Sequence, residues 1–118
     1  MIMLQKDSNA ILSDCFKLLM MYIVRDIFQL QFGAYKGAKA LLDEAYSKGM
    51  LPEAKSSRIL SDFTADSYRL IFEEGYNTLA DYEKSLMESM ARADWKKWYE
   101  KFKQQVVSSL REILKQVM

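Results

Sequence analysis

The chain has 118 residues, of which half are hydrophobic and 28% are charged, and its net charge is +1. This length accommodates one domain, and the near-neutral charge excludes a global field that would select nucleic acid or another polyanion. Four glycines and one proline provide too few turns for a sheet protein of this size. We therefore predict a single all-α domain over residues 1–118.

The first predicted helix covers about residues 8–48. Either Ser8 or Asn9 is a suitable N-cap, and Gly49 stands where a glycine commonly follows a helix end. Gly33 and Gly37 each cost about 1 kcal/mol relative to alanine inside a helix. The helix is therefore expected to bend or break at these glycines, or to admit another helix closely.

Apolar side chains surround the first half of this helix on nearly every side. A helix of that kind must be buried all round, which two other helices of the same chain cannot achieve. We therefore predict that it packs between helices of more than one chain, most simply in a homodimer near a two-fold axis, or against a protein partner; a central helix in a compact monomer is the alternative. The predicted interface residues are Phe16, Leu19, Met20, Ile23, Val24, Ile27 and Phe28.

The second predicted helix covers about residues 52–91 and begins at Pro52, which fits the first helical position. Residues 51–91 carry four basic and eight acidic side chains. Glu74, Asp81 and Glu88 recur every seven residues, so a helix would present them on one face. This pattern predicts an acidic middle helix.

The acidic residues of this helix also allow a metal-dependent reading. Glu73-Glu74 followed by Asp81 and Glu83 resembles the magnesium-dependent, all-helical nucleotide pyrophosphohydrolases, although Asn77 stands where their third glutamate belongs. The resemblance implies metal-dependent hydrolysis on the acidic helix. A solvated acidic face is the alternative interpretation.

The third predicted helix covers about residues 94–117. Its apolar residues recur at intervals of three and four for more than five turns, which is typical of an amphipathic helix. Residues 92–118 carry seven basic and three acidic side chains. The predicted basic ridge on the face opposite the apolar stripe consists of Lys97, Lys101, Arg111 and Lys115. Such a ridge would bind nucleic acid, an anionic surface or an acidic partner, or would only be solvated.

Two long helices joined at residues 49–53 resemble phasins, the helical proteins that coat granules. The resemblance implies an amphipathic coat for an apolar surface. It concerns the architecture alone, since the chain carries no motif specific to that family.

The composition excludes several chemistries. The chain has no histidine and its single cysteine is Cys15, so neither a Ser-His dyad, a zinc site nor an intramolecular disulfide is expected. No glycine-rich phosphate loop occurs. We predict a non-enzymatic protein with no cofactor, no metal site and no catalytic residue.

The same features indicate the compartment. A lone cysteine suits a reducing environment, and the N-terminus lacks the pattern of a signal peptide. The apolar run of residues 16–24 is too short to cross a membrane before Arg25 and Asp26 interrupt it. We therefore predict a cytoplasmic protein without a transmembrane segment.

Together these patterns predict a bundle of three long helices, or of four to five if the glycines break them, in a packed or intertwined homodimer. The predicted function is a helical interaction or scaffold protein that self-associates through its first helix. The alternatives are a binder of nucleic acid or anionic surfaces, a phasin-like coat and a metal-dependent hydrolase.

Overall fold

The computed structural model describes residues 21–64 and 67–118. These residues form strand β1 (Tyr22–Leu30), helix α1 (Tyr35–Ser47), strands β2 (Ser56–Ser61) and β3 (Arg69–Tyr76), helices α2 (Leu79–Met90) and α3 (Ala93–Lys103), and strand β4 (Val106–Lys115). The strands form one antiparallel sheet in the order β2-β3-β1-β4. Helix α1 makes the first crossover and helices α2 and α3 make the second, which is the ferredoxin-like arrangement.

The predicted all-α bundle is wrong. Strand β1 occupies the middle of the helix predicted over 8–48, and β2 and β3 lie within the one predicted over 52–91. The second half of the helix predicted over 94–117 is strand β4. The chain is an α+β protein in which each predicted long helix contains at least one strand.

Strand β1 explains the apolar excess that the sequence shows around residues 22–30. It lies inside the sheet, paired with β3 on one side and β4 on the other. Its successive side chains alternate between the two faces of the sheet, and Val24 is fully buried on one of them. An interior strand with apolar residues on both faces has the composition of a helix buried all round.

The helices pack on one face of the sheet, which we call the helix face. Helix α1 contributes Ala38, Leu42 and Ala45, which recur at helical spacing and are buried. They form one core cluster with Leu30 of β1 and with residues of β3 and α3. We call the opposite side of the sheet the open face; Ile23, Ile27, Ile71 and Leu114 lie on it by their register positions.

Residues at the helix ends determine where the chain changes direction between the helices and the strands. Helix α1 ends at Ser47, and Gly49 follows in a left-handed conformation with φ +66°. At the start of α2, the Thr78 hydroxyl accepts a hydrogen bond from the Asp81 N–H at 3.0 Å. Within residues 21–64 and 67–118, no helix combines the length and hydropathy needed to cross a membrane.

Candidate functional site

A cavity of about 250 Å³ lies between the helix face of the sheet and the helices. We call it the helix-side cavity. Its apolar wall includes Phe28, Leu42, Phe72, Trp98 and Phe102, and its polar wall consists of Asp26, Glu74, Tyr82, Ser109 and Arg111. An apolar enclosure with a few polar groups is typical of small-molecule sites, and this one is slightly smaller than pockets for drug-sized ligands.

Helix α3 supplies the aromatic part of the wall. Residues four apart on a helix lie on the same face, so the Trp95 and Tyr99 rings stack with centroids 4.9 Å apart, and those of Trp98 and Phe102 stack at 5.0 Å. The Trp98 indole N–H donates to the carbonyl oxygen of Leu41 at 2.6 Å, which fixes the ring against helix α1. The two tryptophans of the chain therefore both line the cavity.

The polar wall is assembled by strand register. Asp26 of β1 stands opposite Arg111 of β4, and Glu74 of β3 stands opposite Val24, so all of them point to the helix face. The Arg111 Nε–H donates to Asp26 Oδ1 at 2.5 Å. Helix α2 brings Tyr82 to the same place, where the Arg111 guanidinium carbon lies 5.9 Å from the centre of the Tyr82 ring.

Glu74 is a buried carboxyl group without an ion pair among the described residues. Its exposed fraction is 3%, and the Tyr76 hydroxyl donates to its Oε2 at 2.8 Å. Burial, with a smaller contribution from the neighbouring Asp26, raises the pKa of Glu74 to about 7 against the opposing effects of Tyr76 and Arg111. This carboxyl group therefore exchanges its proton near neutral pH.

Tyr82 carries a polar atom that the described residues leave unsatisfied. Its side chain is 9% exposed, and its hydroxyl has no hydrogen-bond partner there. Burial raises the pKa of Tyr82, so the hydroxyl keeps its proton and can donate a hydrogen bond or accept one through its oxygen. Buried hydroxyl groups nearly always have a hydrogen-bond partner. The Tyr82 hydroxyl therefore marks a position where a ligand atom could supply the missing hydrogen bond.

The open face carries a separate network of charges. Glu73 is 5% exposed, and its carboxylate accepts hydrogen bonds from Arg25 at 2.7 Å and Arg58 at 2.5 Å. Burial opposes its ionisation, but these two arginines outweigh that effect and hold the pKa of Glu73 below its usual range. Arg25 also lies 3.6 Å from Glu112 of strand β4. Two arginines and two glutamates thus neutralise one another.

The predicted interface residues do not form a single surface. Three of them lie outside the described residues: Phe16, Leu19 and Met20. Among the other four, Ile23 and Ile27 point to the open face, whereas Val24 and Phe28 point into the helix face. A helix would have kept these four together; the strand separates them. Their role in an interface stays a prediction.

The predicted basic ridge is also divided. Lys97 and Lys101 lie on helix α3, whereas Arg111 and Lys115 lie on strand β4. Arg111 is paired with Asp26 at the cavity, as described above. The continuous helical ridge expected from the sequence therefore does not exist.

The predicted acidic face fails for the same reason. Glu73 and Glu74 lie on strand β3, whereas Asp81, Glu83 and Glu88 lie on helix α2. In the part of the chain that the structure describes, no three potential ligating side chains come together around a metal position. The motif shared with the pyrophosphohydrolases requires a helix that this chain does not form.

Sequence reasoning missed the polar wall of the helix-side cavity. Asp26 interrupts an apolar strand, and that interruption was the available signal, because a charged residue inside such a run needs a partner. The partner, Arg111, lies 85 residues away and is identified only by strand pairing.

The sheet order and the helical crossovers define the class of fold to which this chain is similar, the ferredoxin-like α+β proteins. No protein-family model and no curated protein matches the chain. Solved structures match its fold. A NIPSNAP family protein from Agrobacterium tumefaciens has a TM-score of 0.69 at 18% identity, covering 80% of this chain and 90% of that one.

Two further structures show the same fold. A second NIPSNAP family protein from Agrobacterium tumefaciens, described as having unknown function, has a TM-score of 0.71 at 15% identity, covering 82% of this chain and 88% of that one. A putative antibiotic biosynthesis monooxygenase from Nitrosomonas europaea has a TM-score of 0.65 at 15% identity, with coverages of 81% and 89%. The predicted helical scaffold and its helical alternatives are therefore wrong.

Proposed function

We propose that this protein binds a small, largely apolar molecule in the helix-side cavity and holds the polar end of that molecule against Glu74 and Tyr82. The observation that carries the proposal is the buried Tyr82 hydroxyl without a partner among the described residues. A bound molecule would supply the missing hydrogen bond and would fill the space between the aromatic rings of α3 and the sheet. The proposed function is binding, and no catalytic step is part of it.

The tryptophans provide a direct assay. Because both tryptophans line the cavity, occupancy should change the intrinsic fluorescence of the protein. A series of one-ring and two-ring aromatic compounds can be titrated while fluorescence and melting temperature are followed. We expect saturable changes in the fluorescence together with a rise in melting temperature at saturating ligand.

A matched pair of variants distinguishes the cavity from the surface. Ser109→Phe places a ring in the cavity, whereas Ser108→Phe places the same ring on the opposite face of strand β4. We expect Ser109→Phe to lose at least tenfold in affinity and Ser108→Phe to bind as the wild type does. Equal binding by both variants, or no saturable binding by the wild type, would refute the proposal.

We also propose that the open face of the sheet binds a second copy of this chain. Leu110 and Leu114 are exposed there, beside the half-buried Ile23 and Ile27. The charged network on this face pairs two arginines with two glutamates within one chain, so a second copy would meet no net charge there. Light scattering behind a sizing column should give the mass of two chains; the mass of one chain at micromolar concentration would exclude this dimer.

A further inference from the structure

The helix-side cavity has an unbalanced charge. Its wall contains two carboxyl groups, Asp26 and Glu74, and one guanidinium, that of Arg111. Arg111 donates its Nε–H to Asp26, so that pair is already neutral. Glu74 accepts a hydrogen bond from the Tyr76 hydroxyl but has no cation of its own among the described residues. An ionised Glu74 therefore leaves one buried negative charge without compensation, which is costly.

Aromatic rings surround the same space. Tyr82 and the aromatic residues of helix α3 line the cavity, and aromatic rings attract cations. One cation already uses this surface, because the Arg111 guanidinium carbon lies 5.9 Å from the centre of the Tyr82 ring. The Tyr82 hydroxyl is buried and has no hydrogen-bond partner in the described part of the chain, so a ligand group could form a hydrogen bond with it.

From this arrangement we infer that the ligand is an amine: a molecule with a small apolar body and an ammonium group that pairs with Glu74 inside the aromatic wall. The inference rests on the proposed function and adds the chemical class of the ligand. The apolar body would occupy the space beside Trp98 and Phe102. The ammonium would form the ion pair that Glu74 lacks among the described residues.

The pH dependence follows from the groups that face Glu74. These are Asp26 from β1, Tyr76 from its own strand, Tyr82 from α2 and Arg111 from β4. Tyr76 and Tyr82 keep their protons at neutral pH because burial raises the pKa of each. An alkylammonium keeps its proton up to about pH 10. Glu74, with a pKa of about 7, is therefore the group expected to change charge between about pH 6 and pH 8.

Three probes of one shape test the ligand class: 2-phenylethylamine, 2-phenylethanol and 3-phenylpropionate, titrated by tryptophan fluorescence. We expect the amine to bind at least tenfold more tightly than the alcohol or the acid at about pH 8, and its affinity to fall about tenfold at about pH 6 as Glu74 takes up a proton. The alcohol should show no such pH dependence.

Variants locate the effect. Glu74→Gln should lose the preference for the amine and its pH dependence, whereas the adjacent Glu73→Gln, which alters the open face, should keep both. Arg111→Gln should bind the amine at least as tightly as the wild type, because it frees Asp26 as a second carboxylate. Circular dichroism melts verify that each variant is folded, and only folded variants are compared.

The outcomes separate the inference from the proposed function. Tight binding of the propionate, loss of amine binding in folded Arg111→Gln, or equal binding of all three probes would overturn the ammonium inference and leave the cavity as a binding site. If no probe binds and no compound of the wider aromatic series binds either, both the ammonium inference and the proposed binding function are refuted.

Discussion

Glu73 and Glu74 are adjacent on strand β3 and meet opposite environments, because a strand turns successive side chains to opposite faces. Glu73 points to the open face, where hydrogen bonds from Arg58 and Arg25 hold its pKa below the usual range against the effect of burial. Glu74 points into the helix-side cavity, where burial raises its pKa to about 7. One step along the chain separates a carboxylate that stays ionised from a carboxyl group that titrates near neutrality.

The raised pKa of Glu74 predicts a pH-dependent stability. Its folded-state pKa of about 7 exceeds the ordinary value of 4.5, so its contribution to stability is complete below pH 4.5 and is lost as the pH rises to about 7. Over that interval the wild type should lose about 3 kcal/mol of unfolding free energy relative to Glu74→Gln. Urea denaturation of both proteins at several pH values measures the difference, and a difference that stays constant with pH would contradict the assigned pKa.

Strands β1 and β4 were predicted as helices because a spacing of four residues fits both structures. Residues four apart lie on one side of a helix, and since four is even they also lie on one face of a strand. Ile23 and Ile27 of β1 have this spacing, as do Leu110 and Leu114 of β4. Alternation of apolar and polar residues would have distinguished a strand from a helix. The interior strand β1 lacks this alternation because it carries apolar residues on both faces.

The candidate site was predictable only in its helical part. Helix α3 falls within the predicted third helix, so the spacing of Trp95, Trp98 and Phe102 on one stripe could be read from the sequence. The polar wall could not, because Asp26 and Arg111 meet through the pairing of strands β1 and β4 from opposite ends of the chain. Sequence periodicity predicts which residues of a helix or strand share a face. It does not predict which strands pair with each other.

Two glycines of the α1 region have opposite requirements. Gly49 adopts φ +66°, where a side chain is strained, whereas Gly37 lies within helix α1 with space for a methyl group 3.6 Å from the Gln105 side chain. We expect Gly49→Ala to lower the unfolding free energy by about 1 kcal/mol and Gly37→Ala to raise it by about 0.5 kcal/mol. Thermal or urea denaturation measures both; the same sign for the two variants would contradict this account of helix α1.

At the scale of the whole molecule, the sheet separates two surfaces. The helix face bounds the cavity, and the open face carries the apolar residues and the paired charges proposed for self-association. Strand β4 lies at the edge of the sheet, where Ile113 of the helix face and Leu114 of the open face are 49% and 40% exposed. Because neighbouring residues of this strand serve different faces, single substitutions can alter one surface without the other.

This separation allows a decisive test of the dimer. Leu114→Lys places a charge on the open face at a position that does not line the helix-side cavity, whereas Ile113→Lys places the same charge on the opposite face of β4. Burying an unpaired ammonium between two sheets is costly, so light scattering should show Leu114→Lys as a monomer and Ile113→Lys as a dimer, as in the wild type. The Leu114→Lys monomer should still bind 2-phenylethylamine, because the cavity lies within one chain. Dimers in both variants would place the contact elsewhere on the surface, and loss of amine binding on dissociation would show that the second copy helps to form the cavity.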